Sequence, residues 1–254
     1  MKPGVLVVVG VLVALTSCVT YRLVPQESDG TTIKHNRGTQ TLMSGNDSMA
    51  VVVSAQVNGD LIYFQTIVKN LTERSLYVDD THIRLTESSP LSGFPVDIRV
   101  YGADEYLRIR QNQILTGQIM MAVAAGVSTM NAGRSRTTVT TGYYSSYGHG
   151  RRSYYRGFGT YTYTTYTYDS ARAAYERDIA FSNVRDYING TNRELDYLRD
   201  TLFFPMDIEP HDEYYGLVVA ELGERSEALM KFSVDFGNSH FDFNFRKDQI
   251  NLGE

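Results

Sequence analysis

The sequence predicts an α+β chain: an Ig-like antiparallel β-sandwich interrupted by a long antiparallel helical hairpin. Three observations lead there. Short runs rich in β-formers, spaced about ten residues apart, fill residues 47–102 and return over 205–254. Between them, two stretches within residues 103–204, Asp104–Asn131 and the segment after Tyr168, change to a helical apolar spacing. Neither strand set alone supplies two packed sheets, so the economical topology is one sandwich split by an insertion.

The chain opens on MKPGVLVVVGVLVALTSC. Lys2 gives a short positive region, and Val5–Leu15 is apolar apart from Gly10. The run is shorter than the roughly 20 residues of a bilayer span and has the length of a signal-peptide core. Leu15-Thr16-Ser17-Cys18 resembles the lipobox of bacterial lipoproteins, an aliphatic residue and two small ones before cysteine. The resemblance implies that residues 1–17 are a cleaved lipoprotein signal peptide. It also implies that Cys18 is the lipidation site, carrying a diacylglycerol and usually a further acyl chain such as palmitate. Two or three chains hold a protein firmly where one does so marginally. The membrane is then a partner through the N-terminal lipid. Val19 resembles an outer-membrane sorting signal, but the rule varies among phyla. The expected location is the bacterial cell membrane or outer membrane, facing the periplasm or the exterior. An ordinary secretory leader with a chance cysteine is the plainer alternative. Cys18 is the only cysteine, which excludes an intramolecular disulfide and a cysteine-rich zinc site.

Residues 18–46 are polar and read as a tether, with Gln40–Met43 as an optional edge strand. Ala50–Val57 and Asp60–Lys69 flank Asn58-Gly59, a type I′ hairpin signal. The second run is apolar on both faces and reads as a central strand. Leu76–Thr86 and Phe94–Tyr101 are the third and fourth strands. Asp104–Asn131 is helical in spacing, and Gln111–Gly133 carries no charge. Within it, IMMAVAAGV (119–127) is apolar on all sides, so it is buried on every face or touches lipid. Residues 134–168 form a low-complexity loop of Tyr, Thr, Ser, Gly and Arg without an acid. A second helix follows, capped by Asp169 or Ser170. Its stripe is Phe181, Val184, Ile188, Leu195, Leu198 and Leu202, interrupted at Thr191. Pro205 stops it. After a loop over 205–213, strands return at Tyr214–Glu221, Ala228–Phe236 and His240–Phe245, with a turn at Gly237-Asn238.

This order, together with YDSARAAYERDIA, LRDTLFFPMDIEPHDEYYGLVVAEL and MKFSVDFGNSHFDFNF, resembles uncharacterised bacterial lipoproteins. In these a Leu-(x)-x-Thr-Leu-x-Pro…Gly-x-Val segment leads into the last strands. Phe203-Phe204-Pro205 and the acids after it depart from the usual Pro-Gly turn. The resemblance implies a fold and a location but no activity.

Motifs for chemistry are sparse. The five histidines lack zinc spacing, and no His-Glu-x-x-His, Walker loop or Gly-x-Ser-x-Gly elbow occurs. Asp207-x-Glu209-x-His211-Asp212-Glu213 suits a hard cation but lacks the glycine of an EF-hand loop, so it reads as a solvated turn. The sequons at Asn70 and Asn189 carry no weight in a bacterial chain. No catalytic residue, metal site or cofactor is expected. The expected role is a non-enzymatic binding or scaffolding module of the cell envelope. The alternatives are an envelope glycan-processing enzyme using Asp and Glu, or a protein that inserts or oligomerises through a helix.

The partner-binding candidates are Tyr143, Tyr144, Arg151, Arg152, Tyr154, Tyr155 and Arg156. Tyr106–Tyr168 holds seven arginines and no acid in a chain of net charge −5, so the remainder sums to −12. Tyrosine with arginine suits flat polar partners, an envelope protein or a glycan. A nucleic-acid partner is not expected outside the cell. A polar loop without a partner explains the composition equally. For the apolar helix 114–130 three fates stay open: packing on the second helix, favoured by Gly117, Ala122, Ala125 and Gly126, then contact in a homo-oligomer, then insertion into lipid.

Overall fold

The computed structural model describes residues 20–36, 39–90, 93–130, 132–150 and 153–250. Among the described residues the chain is α+β, with two α-helices and mostly antiparallel sheets, an arrangement consistent with a β-sandwich. In order the elements are β1 (Thr20–Gln26), β2 (Thr31–Asn36), β3 (Thr39–Gly45), β4 (Met49–Asn58), β5 (Leu61–Asn70), β6 (Leu76–Val78), a 3₁₀ turn (Asp80–His82), β7 (Ile83–Ser88), β8 (Pro95–Ile98) and β9 (Val100–Tyr101). Then come α1 (Ala103–Met130), β10 (Arg134–Gly150), β11 (Ser153–Tyr168), α2 (Ser170–Thr201), β12 (Met206–Ile208), β13 (Glu213–Glu221), β14 (Ala228–Phe236) and β15 (Ser239–Ile250). The chain divides into two compact units, Met1–Tyr106 with Thr201–Glu254, and Leu107–Asp200.

In the first unit one sheet runs β1-β15-β14-β7-β8 and the other β2-β3-β4-β5-β13-β9. Each takes strands from both sides of the second unit. Alternation decides which residues meet. On β5 the buried set is Ile62, Phe64, Thr66 and Val68; on β15 it is Phe241, Phe243, Phe245 and Lys247. Phe64 stacks on Phe232 of β14 at 4.3 Å between centroids and lies 5.7 Å from Phe245, so the two sheets meet across one core. Burying each of these rings contributes about 1.5–3 kcal/mol.

Several expectations are corrected. Residues 18–46 do not form a tether from residue 20 onward. β1 pairs with β15 along its length, and β3 joins β2 to β4. The segment is polar because these strands lie at or near sheet edges, where only a few side chains such as Leu23 and Leu42 turn inward. Leu76–Thr86 is not one strand. The Asp79-capped turn at Asp80–His82 breaks it, sending β6 to β12 and β7 to β14. Phe94–Tyr101 likewise splits, with β8 on β7 and β9 on β13. The loop at 205–213 holds β12. The β4–β5 connection is Gly59-Asp60, since Asn58 pairs with Leu61 and Gly59 has φ +60°. A positive φ at the first loop residue alone fits type II′ rather than I′. Gly237, φ +58°, repeats the device between β14 and β15.

In the second unit, the stretch read as a loop at 134–168 is paired strand. β10 and β11 run antiparallel from Arg134↔Tyr168 to Gly150↔Ser153, with one irregularity between Thr140 and Tyr143. Repetition hid the signal, because low complexity does not exclude extended structure. Threonine and tyrosine are strong β-formers, and they dominate β11.

Candidate functional site

Of the sequence-derived residues, Cys18, Arg151 and Arg152 lie outside the described residues. The others lie on the β10–β11 ribbon. The register sets Tyr154 opposite His149, Tyr155 opposite Gly148 and Arg156 opposite Tyr147. Tyr143 and Tyr144 pair further back, with Thr160 and Gly159. The pairing therefore sets Tyr154 and Arg156, two residues apart, across from His149 and Tyr147, with Tyr155 at the alternate position. His149 and Tyr147 were missed because only an antiparallel register brings them opposite the others.

The base of the ribbon is fixed by backbone. Gly133 closes α1 in the left-handed region, φ +72°, and accepts from the Asp169 amide at 2.9 Å. A Cβ there would collide with the Asp169 carbonyl and Ala173. The Gly133 amide donates to Glu176 Oε2 at 2.8 Å, and Arg172 binds the other carboxylate oxygen at 2.7 Å. Both hold the Glu176 carboxyl below its usual range, the Gly133 amide foremost. Asp169 caps α2 by accepting from the Arg172 amide at 3.0 Å.

Contacts between the helices run in opposite chain order. Arg110 meets Glu194 at 2.5 Å, and Gln118 donates to Thr191 Oγ1 at 3.1 Å. The Tyr187 hydroxyl fills the space over Gly117, where a Cβ would collide with it. Thr191, the apparent interruption of the stripe, is buried, whereas Phe181 is exposed. The inward positions of α1 include Ile114, Gly117, Gln118, Met121 and Ala125. Ala122 is exposed and nothing lies within 4 Å of a Cβ on Gly126, so these two small residues do not admit α2 as expected. Leu115, Ile119, Met120, Val123, Val127 and Met130 are each more than half exposed. By length and composition alone α1 could also cross a membrane.

The polar clusters of the first unit are structural. Asp80 Oδ2 accepts from the Ala103 amide at 2.8 Å and so caps α1, while Asp79 caps the 3₁₀ turn. Burial raises the Asp80 carboxyl, and the Thr81 amide lowers that of Asp79. Ser233, Asp242, His240 and Asp235 form a chain on β14 and β15. Ser233 donates to Asp242 at 2.5 Å, and His240 touches Asp235 at 2.5 Å and Asp242 at 3.0 Å. Because the serine hydroxyl bonds to carboxylate rather than imidazole, this order does not activate it. In the acidic loop, His211 turns to Glu73 at 3.1 Å. No group of three or more His, Cys, Asp or Glu able to hold a metal occurs among the described residues.

Comparison with protein families, curated proteins and solved structures finds no match to this chain.

Proposed function

We propose that the chain is a bacterial lipoprotein, anchored in the envelope through Cys18, that works as a non-enzymatic binding or scaffolding module. Its body is an Ig-like sandwich, and its insertion is an antiparallel helical hairpin that carries the ribbon. One observation carries the binding role. The acid-free tyrosine–arginine stretch is laid out as a ribbon whose base is secured by Gly133, Asp169 and Glu176. An ordered backbone lowers the entropy cost of binding a flat polar partner, an envelope protein or a glycan.

Two measurements test the reading. A palmitate analogue should label the wild type in cells and leave Cys18→Ser unlabelled; equal labelling would end the anchoring proposal. Tyr154→Ala/Tyr155→Ala/Arg156→Ala should lose the envelope component that the wild type retains in crosslinked pull-downs. Retention of the same component at equal yield would remove the ribbon from the binding role.

A further inference from the structure

We infer that the outward face of α1 is a homo-oligomeric interface, covered by the same face of a second copy of this chain. The inference does not depend on the anchor or on the ribbon's partner.

From Leu115 to Met130 the helix has two apolar faces. One meets α2 at Gly117 and lines a pocket with it at Met121 and Ala125. The other presents Leu115, Ile119, Met120, Val123, Val127 and Met130 to water, each more than half exposed. At 100° per residue these six fall within one arc of about 140°. The only polar side chain inside that arc is Thr116, whose hydroxyl is satisfied by the Asn112 carbonyl at 2.9 Å. A helix apolar all round belongs in an interior, yet half of this one faces solvent.

The area and the chemistry point to a second copy. Six large apolar residues side by side, each 56–76% exposed, make one contiguous patch, and contiguous apolar patches beyond a few hundred Å² mark interaction sites, a standard interface burying about 800 Å² per partner. The run 111–133 is uncharged, so two copies meet without like-charge repulsion. Ala122 and Gly126 form a shallow strip beside the ridge of Ile119, Val123 and Val127. Ridge and strip on one surface give the self-complementarity that a two-fold contact needs.

A bilayer fits less well. Arg110–Glu194, Gln118–Thr191 and the Gly117–Tyr187 contact hold α1 to α2. A spanning α1 would carry with it the charges of α2, among them Arg177, Asp178, Arg185, Asp186 and Arg193, at a cost of a few kcal/mol each near the bilayer centre. Nor does the uncharged run offer the basic residues that hold an interfacial helix to headgroups.

The test uses the full chain. Leu115→Cys, Ile119→Cys, Val123→Cys and Val127→Cys, introduced singly, are oxidised in whole expressing cells. At least one should give a covalent dimer well above the level of the parent chain and of an Asp178→Cys control. Detergent-extracted wild type should sediment at twice the monomer mass or more at tens of micromolar. Ile119→Glu/Val123→Glu should sediment as monomer with an unchanged circular dichroism spectrum, since both side chains are exposed. A monomeric wild type, or a dimer indifferent to the two glutamates, overturns the proposal. So does flotation of a monomeric Cys18→Ser chain with phosphatidylethanolamine–phosphatidylglycerol vesicles that the same glutamates abolish, which would assign the face to lipid.

Discussion

At the scale of single residues, three of the buried polar side chains of the first unit have different fates. Thr66 is fully buried and its hydroxyl has no hydrogen-bond partner. Thr66→Val keeps the shape and removes the orphan hydroxyl, so it should raise stability by about 1–2 kcal/mol in urea unfolding. Lys247 is buried against Glu87 at 3.3 Å and donates to the Leu222 and Gly223 carbonyls at 2.8 and 3.0 Å. Burial lowers its pKa, and Glu87 works in the opposite direction. Lys247→Met leaves Glu87 without its cation and should cost about 3–5 kcal/mol, whereas Lys247→Met/Glu87→Leu should recover most of that loss. Asn70 stands in a sequon without weight, yet its side chain is a buried hub that donates to the Arg74 and Ile208 carbonyls and accepts from Thr72. No sequence pattern shows such a hub, because its partners lie up to 139 residues away.

At the scale of elements, structure is legible in the sequence where one period runs through a segment with clear stops. β14 is Ala228–Phe236 as expected, and α2 begins at the cap expected for it. Structure is not legible where a strand changes sheets. The shift from β6 to β7 depends on the Asp79 carboxylate accepting from the Thr81 amide at 2.8 Å, and apolar alternation carries straight through it. The candidate site was legible as composition, but its layout was not, because repeats of Thr and Tyr fit a loop and a ribbon equally. The β14–β15 pair carries a pH dependence that only the register creates. The Asp235 hydrogen bond, helped by the charge of Asp242, raises the His240 pKa above its ordinary value. A raised histidine stabilises the fold fully below its unfolded pKa of about 6.5, and the gain fades as pH rises through the folded value. The Tm difference between wild type and His240→Gln should therefore be largest near pH 5.5 and vanish by pH 9. A difference constant over that range would mean that the imidazole acts by packing.

At the scale of the whole molecule, the first unit is made from two stretches far apart in sequence, and its integrity should not need the residues between them. Both ends that meet the second unit are held on the β5–β13 pair. The Tyr106 hydroxyl lies 3.1 Å from that of Tyr63 on β5, and the Ala103 amide is held by Asp80. Leu202 bridges to Leu217 of β13, which pairs with Gln65, two residues from Tyr63. Phe203 is buried over Gly216, where a Cβ would collide with its ring. The two ends thus emerge from neighbouring points, and a short flexible link can join them. Closing a loop of about ten residues rather than one of nearly a hundred lowers the closure entropy by roughly 2 kcal/mol on the logarithmic scaling. Replacing Leu107–Asp200 with a ten-residue Gly/Ser linker should leave a β-rich circular dichroism spectrum and one cooperative unfolding transition, with a midpoint no lower than that of the corresponding transition in the full chain. If the excised protein is molten or aggregates, the first unit depends on the second for its fold. The insertion would then be part of the core architecture rather than a device mounted on it.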